Sequence, residues 1–414
     1  MTTLIINIKL LVNTREESIL LRGKALADLP AIENAFVLIE DGIIAALGHM
    51  YELDWMVPHP PKNIVDASDQ IVLPCWCDSH THLVFAGSRE AEFVDKINGL
   101  SYAEIAERGG GILNSARKIQ QATEENLYTD ALYRLKELTL LGTGAIEIKS
   151  GYGLSVADEL KMLRVIKKLK EQSGLLIKAT FLGAHTYPLA YKDNHQGYID
   201  LIINEMLPVI AAEKLADYID VFCEKGFFSA EETDTICKAG AAYGLKPKLH
   251  VNQLNSIGGI DIGIANQAVS LDHLETLTPD DIKKLSGYAG VCTLLPTAAF
   301  FLRMAYQPAR ALIDAGAAVA LASDYNPGSS PSGNMNFVTA ISCIQMKMLP
   351  EEVINAATIN GAFAMEAASE VGSISVGKRA NLIFARPIPS LAYLFYSFAS
   401  NHIQRIMISG EWVN

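Results

Sequence analysis

The 414-residue sequence lacks any apolar run near the roughly 20 residues that a membrane-spanning helix needs. Its first residues, MTTLIINIKLLVN, lack the basic start, the longer apolar stretch and the small-residue cleavage site of a secretion signal. The six cysteines lack the spacing of a disulfide scaffold, so we expect them to be reduced. These absences predict a cytoplasmic protein with no membrane partner.

The chain also lacks a long block of lysine or arginine, and its formal net charge is −12. An acidic protein without a basic patch is a poor match for nucleic acid, so we expect no nucleic-acid partner. Half of the residues are hydrophobic and 19% are charged, which is typical of a globular protein with a large core. An anionic small molecule would need a locally basic pocket.

The pattern of strands and helices predicts an α/β fold, a (β/α)8 TIM-type barrel with a small composite β-sandwich domain built from both termini. Residues 1–70 and 373–414 read as short strands and turns, and we assign them to the small domain. Residues 71–372 alternate short apolar strands with amphipathic helices, as in parallel β/α units. Eight candidate barrel strands are predicted at 71–73, 144–148, 176–182, 218–222, 246–251, 268–271, 290–295 and 317–322, and eight is the number that closes such a barrel.

The run His80-Thr81-His82 follows the apolar segment Ile71–Cys77. In an extended strand alternate residues point the same way, so both imidazoles can reach one ion. Other polar residues also follow predicted strands, at the end of the barrel where such folds collect their chemistry: His185, His250, His273 and Asp324. Their shared location indicates a mononuclear metal site.

Three imidazoles from His80, His82 and His250 with the carboxylate of Asp324 make a nitrogen-rich set that suits one zinc or iron ion rather than calcium or magnesium. Such an ion lowers the pKa of a bound water and polarises a carbonyl, which is hydrolytic chemistry. Asp324 can accept the water proton and return it to a leaving nitrogen, and protonated His273 can stabilise the developing oxyanion. Both are therefore predicted as catalytic residues.

Two neighbouring motifs are interpreted as structural. Cys75 and Cys77 have the opposite strand parity to the histidine pair, so we expect them to pack in the core. Glu147 and Lys149 at the end of the second strand are interpreted as an ion pair or a polar pocket wall, since no second set of histidines is present for a lysine-bridged pair of metals.

The residues around these positions resemble the imidazolonepropionase family of the amidohydrolase superfamily. The resemblance rests on five segments that run through most of the barrel region: Asp78–Arg89, Gly109–Ile112, Lys149–Leu154, Phe181–His185 and Ser323–Ser329. A small β-domain from both termini is also the family pattern. The resemblance implies metal-dependent hydrolysis of the cyclic amide of 4-imidazolone-5-propionate to N-formimino-L-glutamate in histidine degradation, by a homodimer.

Residue by residue, the resemblance implies metal ligation by His80, His82, His250 and Asp324. It places around the substrate Arg89, Tyr152, His185, Asn326, Gly328 and Ser329, with Tyr102 nearby from the long segment between the first two strands, Phe85 to Leu141. The arginine fits physically, because a propionate carboxylate is well matched by a bidentate guanidinium.

One position departs from the superfamily pattern: Gln253 stands three residues after His250, where many members place a glutamate. Glutamine cannot shuttle a proton, so we assign it to hydrogen bonding with the substrate ring or with water and leave proton transfer to Asp324 and His273. Two alternatives stay open. A related amidohydrolase that deaminates a heterocycle is disfavoured by Gln253 and Arg89, and a catalytically silent barrel is disfavoured by the intact ligand set.

Overall fold

The computed structural model describes residues 1–100, 104 and 110–413. In chain order its strands are β1 (Thr2–Val12), β2 (Ala31–Glu40), β3 (Ile43–His49), β4 (Asn63–Asp66), β5 (Ile71–Pro74), β6 (Trp76–Asp78), β7 (Thr143–Lys149), β8 (Leu176–Ala184), β9 (Tyr218–Cys223), β10 (Lys246–Val251), β11 (Ser270–His273), β12 (Val291–Leu294), β13 (Val319–Leu321), β14 (Leu382–Ala385), β15 (Ile403–Ile408) and β16 (Glu411–Val413). They form two sheets.

The α-helices are α1 (Leu53–Met56), α2 (Glu90–Ile97), α3 (Ile112–Gln121), α4 (Glu124–Leu140), α5 (Val156–Gln172), α6 (His195–Leu201), α7 (Leu207–Glu213), α8 (Ala230–Ala242), α9 (Gly259–Ala265), α10 (Pro279–Gly287), α11 (Pro296–Leu302), α12 (Ala309–Ala315), α13 (Met335–Met346), α14 (Pro350–Ala357), α15 (Ile359–Ala364) and α16 (Tyr393–Tyr396). Short 3₁₀ turns lie at Gly23–Ala27, Met50–Glu52 and Leu189–Tyr191, and a π-helical turn at Ile202–Met206 joins α6 to α7. No helix among the described residues combines the length and apolar character that a membrane crossing requires.

Eight strands, β6 to β13, pair in sequence order and in parallel within the described chain, with helices between them. A parallel bridge between Thr81 and Tyr325 joins the last strand to the first just beyond their ends. Strands such as β7 are buried at every residue, because the barrel interior covers one face and the helices cover the other. The predicted (β/α)8 fold class is confirmed.

The second sheet joins the two ends of the chain, in the order β16-β15-β14-β5-β1-β2-β3, with β4 paired to β1. Side chains from strands at both ends of this sheet share one apolar core, which includes Val37 of β2 and Met407 of β15. The sheet therefore encloses its own core, as in a sandwich. This composite β-domain was part of the predicted fold class.

The prediction that the first barrel strand is Ile71–Leu73 is wrong. That segment, β5, pairs with β1 and β14 in the small sheet, and the barrel begins with β6 at Trp76. One continuous apolar run covers both strands, and the backbone passes between the sheets at Cys75, whose N–H donates to Asn381 O. Hydrophobicity cannot show such a change of sheet, because both strands are buried.

Each of the other seven predicted strands overlaps an observed barrel strand in the described chain and is confirmed. Cys75 and Cys77 are buried in apolar clusters, as predicted, and burial raises the pKa of the Cys77 thiol to about 12. The domain ranges 1–70 with 373–414 and 71–372 stay a prediction.

Candidate metal centre and cavity

The predicted metal ligands converge at the carboxyl ends of the barrel strands. His80 and His82 follow β6, His250 lies in β10, and Asp324 follows β13. Asp324 Oδ1 is 3.5 Å from Nε2 of both His80 and His82, and the Nε2 atoms of His82 and His250 are 3.4 Å apart. All four side chains are buried. The structure therefore gathers the four groups that the sequence singled out.

The chemistry of this cluster fits a metal ion. Burial lowers the pKa of His80, His82 and His250 well below the usual value, so the imidazoles are neutral and offer lone pairs. His80 Nε2 and His82 Nδ1 are buried without a hydrogen-bond partner among the described residues. One possible ligand atom from each of the three histidines lies within 4.8 Å of the others. Neutral imidazoles with one carboxylate suit zinc or iron.

Carboxylates lie behind two of the histidine rings. His80 Nδ1 is 2.7 Å from Asp272 Oδ2, and His250 Nδ1 is 2.8 Å from Asp220 Oδ2. A carboxylate that accepts from Nδ1 fixes the tautomer and directs the Nε2 lone pair away from itself. Asp272 therefore turns His80 toward the centre of the cluster, whereas Asp220 accepts from the backbone N–H of His250 and lies beside its Nδ1 without a hydrogen bond to that atom.

Lys149 lies beneath these carboxylates and is fully buried. Its Nζ is 2.7 Å from Glu147 Oε1, 2.9 Å from Asp220 Oδ2 and 3.8 Å from Asp272 Oδ2. Burial alone would lower the pKa of Lys149, but the three carboxylates outweigh burial and raise it. The predicted ion pair of Glu147 and Lys149 is confirmed, and Lys149 also pairs with Asp220.

His273 ends β11 beside the cluster, with its Nδ1 3.3 Å from Glu275 Oε1. Burial alone would lower the pKa of His273, but Glu275, Asp324 and Asp272 raise it above the usual value. Gln307 Nε2 also donates to Glu275 Oε1, at 2.9 Å. The backbone of His273 has φ of +87°, a conformation that costs energy for a non-glycine residue and turns the strand end toward the cavity.

Burial raises the pKa of Asp324 to about 7, although the His273 cation and Asn326 lower it. The following loop is held by Asn326, whose Nδ2 donates to Asp324 O and Ser329 Oγ and whose Oδ1 accepts from the N–H groups of Gly328 and Ser329. Two donors and two acceptor sites are all that one amide side chain offers. Asn326 therefore shapes the loop that presents Gly328 and Ser329.

A cavity of about 610 Å³ opens above the cluster. Its lining includes nearly all of the predicted site residues: His82, Arg89, Tyr152, His185, His250, Gln253, His273, Asp324, Asn326, Gly328 and Ser329. The His185 ring stacks on His82 with centroids 5.3 Å apart, and burial lowers the pKa of His185 to about 4. Tyr102 lies outside the described residues.

Arg89 enters the cavity at the start of α2. Its Nε and Nη2 donate to Glu92 Oε2 at 2.8 and 2.6 Å, and Glu92 also accepts from Gly111 N and Asn114 Nδ2. A methyl group on Gly328 would lie 2.1 Å from Arg89 Nη1. An alanine at position 328 would therefore force the guanidinium to shift from its place over this loop.

The sequence reasoning missed Asp220, Asp272, Glu92 and Lys96. Asp220 had a local signal, because it is the charged residue of the otherwise largely apolar strand β9, where an unpaired charge is rare. Asp272 had none, because β11 also contains Ser270 and His273. Glu92 and Lys96 lie on the amphipathic helix α2, where charged residues are ordinary. Nothing in the local pattern distinguishes them from solvent-facing residues.

The chain is similar in sequence to a family model and to curated proteins. Residues 210–413 match the model of the amidohydrolase family. Curated relatives include an imidazolonepropionase of Flavobacterium johnsoniae, 56% identical over 412 residues that cover 99% of this chain and 100% of the relative, and one of a Geobacillus species, 41% identical over 93% of this chain and 91% of the relative.

Solved structures with the same fold include E. coli guanine deaminase, with a TM-score of 0.75, 13% identity and coverage of 100% of this chain and 99% of the other. An adenosine deaminase of Xanthomonas campestris with bound zinc has a TM-score of 0.71 and 16% identity, over 99% of this chain and 92% of the other. At these identities the likeness shows the fold alone.

Proposed function

This chain belongs to the imidazolonepropionase family of amidohydrolases, and from that premise we propose that it hydrolyses 4-imidazolone-5-propionate to N-formimino-L-glutamate in histidine degradation. One observation supports this proposal most directly. A buried cluster of three neutral histidines and one carboxylate lies at the base of a cavity of about 610 Å³ that also carries an arginine. The cluster suits hydrolysis, and the arginine suits an anionic substrate.

In this proposal His80, His82, His250 and Asp324 hold one zinc or iron ion, since both metals accept this ligand set. When bound, such an ion supplies a Lewis acid that lowers the pKa of a water and polarises the ring carbonyl. Asp272 keeps the imidazole of His80 in the orientation that ligation needs.

Proton transfer is assigned to Asp324 and His273. Water oxygen adds to the ring carbonyl carbon, and the carboxylate of Asp324 takes the proton that the water loses. Protonated His273, kept charged by Glu275, donates a hydrogen bond to the oxyanion that forms. The carbon–nitrogen bond then breaks, Asp324 returns the proton to the leaving ring nitrogen, and the product gains a carboxylate.

Substrate binding is assigned to the cavity wall. Arg89 pairs with the propionate carboxylate, and Tyr152, His185 and Gln253 face the imidazolone ring. Asn326 contributes by holding Gly328 and Ser329 in place. Tyr102 is proposed on the family resemblance alone. A homodimer, the absence of a nucleic-acid partner and a cytoplasmic location remain part of the proposal.

The test is the loss of imidazolone propionate, generated in place from urocanate, with metal-loaded protein. His82→Ala removes one ligand, and His59→Ala is a matched control because His59 is exposed. Formiminoglutamate should appear with the wild type and His59→Ala and be absent with His82→Ala. No turnover by wild-type protein with a full complement of metal would contradict the proposal, and ammonia release from heterocyclic amines would then favour the deaminase alternative.

A further inference from the structure

The charge of Arg89 is already balanced inside the protein. Glu92 is buried, and its carboxylate binds the Nε and Nη2 edge of the guanidinium at 2.8 and 2.6 Å. Additional hydrogen bonds from Gly111 N and Asn114 Nδ2 hold Glu92 in this place. Arg89 and Glu92 together are therefore close to neutral, so Arg89 orients an incoming carboxylate without giving this end of the cavity a net positive charge.

Lys96 and Arg303 are further cations in the wall of the same cavity; Arg303 is exposed, whereas Lys96 lies beside Gly328. Lys96 lies on α2, one helical turn beyond Glu92, and its half-buried side chain is part of the cavity wall. Its Nζ is 3.4 Å from Gly328 O and 5.7 Å from the centre of the Phe301 ring. Burial and the neighbouring Arg89 lower the pKa of Lys96, against the opposing effect of Glu92. An anion bound beside Lys96 would favour the charged ammonium group and so offset the effects of burial and of Arg89 on this pKa.

Arg89 and Lys96 both lie close to Gly328. Arg89 Nη1 packs against its α-carbon, where a methyl group would lie only 2.1 Å away, and Lys96 Nζ approaches its carbonyl oxygen. Arg89 and Lys96 therefore flank one residue of the loop that also carries Ser329. A guanidinium offers a fixed planar fork, whereas an ammonium on a flexible stem can follow the carboxylate to either oxygen.

We infer that Lys96 binds the propionate carboxylate of the substrate together with Arg89 and supplies positive charge beside Gly328 that selects an anionic substrate. This inference rests on the proposed function for the identity of the substrate. It adds a specificity-determining residue that acts on the side chain of the substrate and takes no part in cleavage of the ring.

The experiment compares wild type with Lys96→Met, which keeps the length of the side chain and removes its charge. Lys238→Met is the matched control, because Lys238 lies on the outer helix α8 with 70% of its side chain exposed. KM and kcat are measured for imidazolone propionate and for its neutral propionamide. Lys96→Met should raise KM for the propionate about 10- to 100-fold, the range for a lost hydrogen bond to a charged group, and leave kcat within about twofold.

The neutral amide separates charge recognition from a structural effect. Its KM should be nearly the same in wild type and Lys96→Met, and Lys96→Arg should recover most of the affinity for the propionate. An unchanged KM for the propionate in Lys96→Met, or an equal rise for propionate and amide, would overturn the inference.

A binding measurement keeps this test independent of turnover. Calorimetry with imidazole-4-propionate and with its amide gives the preference for the anion in each protein. Loss of that preference in Lys96→Met supports the inference, and a preference equal to that of the wild type overturns it. A wild-type protein that prefers the anion but fails to hydrolyse imidazolone propionate contradicts the proposed function alone.

Discussion

Replacing Asp272 by asparagine tests whether the carboxylate behind His80 controls metal binding. Asp272 Oδ2 lies 2.7 Å from His80 Nδ1, and both side chains are fully buried. Asparagine has nearly the same shape, so the packing of the barrel interior is retained while the charge is lost. We expect metal affinity to fall about 10- to 100-fold, the usual effect of removing such a partner.

The tenfold lower end of the expected fall in metal affinity follows from the hydrogen bond between His80 and Asp272. A hydrogen bond to a charged group contributes about 1.5–3 kcal/mol and a neutral one about 0.5–1.5 kcal/mol. The difference is on the order of 1–1.5 kcal/mol, which is about tenfold in affinity. The effect is larger if the asparagine turns its NH₂ group toward His80, because the ring must then accept at Nδ1 and loses its Nε2 lone pair to a proton.

The assay is titration of metal-free protein with zinc in competition with a chromogenic chelator. Asp261→Asn is the control, because Asp261 is 58% exposed and pairs with Lys284 on the outer surface. A zinc affinity of Asp272→Asn within about twofold of the wild type would refute the idea that Asp272 orients His80.

Three further changes test other parts of the structure. Lys149→Met leaves the buried carboxylate of Asp220 without its lysine, so the free energy of unfolding in urea should fall by about 3–5 kcal/mol. Gly328→Ala places a methyl group 2.1 Å from Arg89 Nη1, so KM should rise roughly tenfold with little change in kcat. Burial lowers the pKa of Lys378 to about 8 from 10.5 in the unfolded chain. The unfolded state therefore binds more protons between pH 8 and 10.5, and the stability of the wild type relative to Lys378→Met should rise with pH in that window.

Each of these expectations has its own control. Adding Asp220→Asn to Lys149→Met removes the charge that has lost its lysine and should recover part of the lost stability. No loss in the single variant would contradict the charge pairing. Gly287→Ala meets no atom within 4 Å and should leave KM unchanged. If the stability of the wild type and of Lys378→Met changes with pH in the same way, this lysine keeps an ordinary pKa in the folded protein.

The position of the candidate site could be predicted from local sequence. Buried parallel strands are recognisable as short apolar runs, and polar residues that follow them lie at one end of a barrel. His80, His82, His250 and Asp324 were found in this way, and the structure brings them together. Their roles as ligands remain predictions that the metal titration tests.

Local sequence did not show which sheet a strand joins. Ile71–Pro74 and Trp76–Asp78 lie in one apolar run, yet the first pairs with β14 from the far end of the chain and the second opens the barrel. Both are buried, so hydrophobicity is the same for either pairing. The difference lies in hydrogen bonds to distant strands.

The sequence by itself determined the fold class and the residue types at the mouth of the barrel, because both follow from periodicity along the chain. Only the tertiary structure decided how those residues are supported. His80 meets Asp272 across 192 residues, Lys149 reaches Asp220, and Glu92 neutralises Arg89 while Lys96 approaches Gly328 from the same helix. Such contacts depend on which elements become neighbours in space. A local sequence pattern cannot show which distant residues will meet.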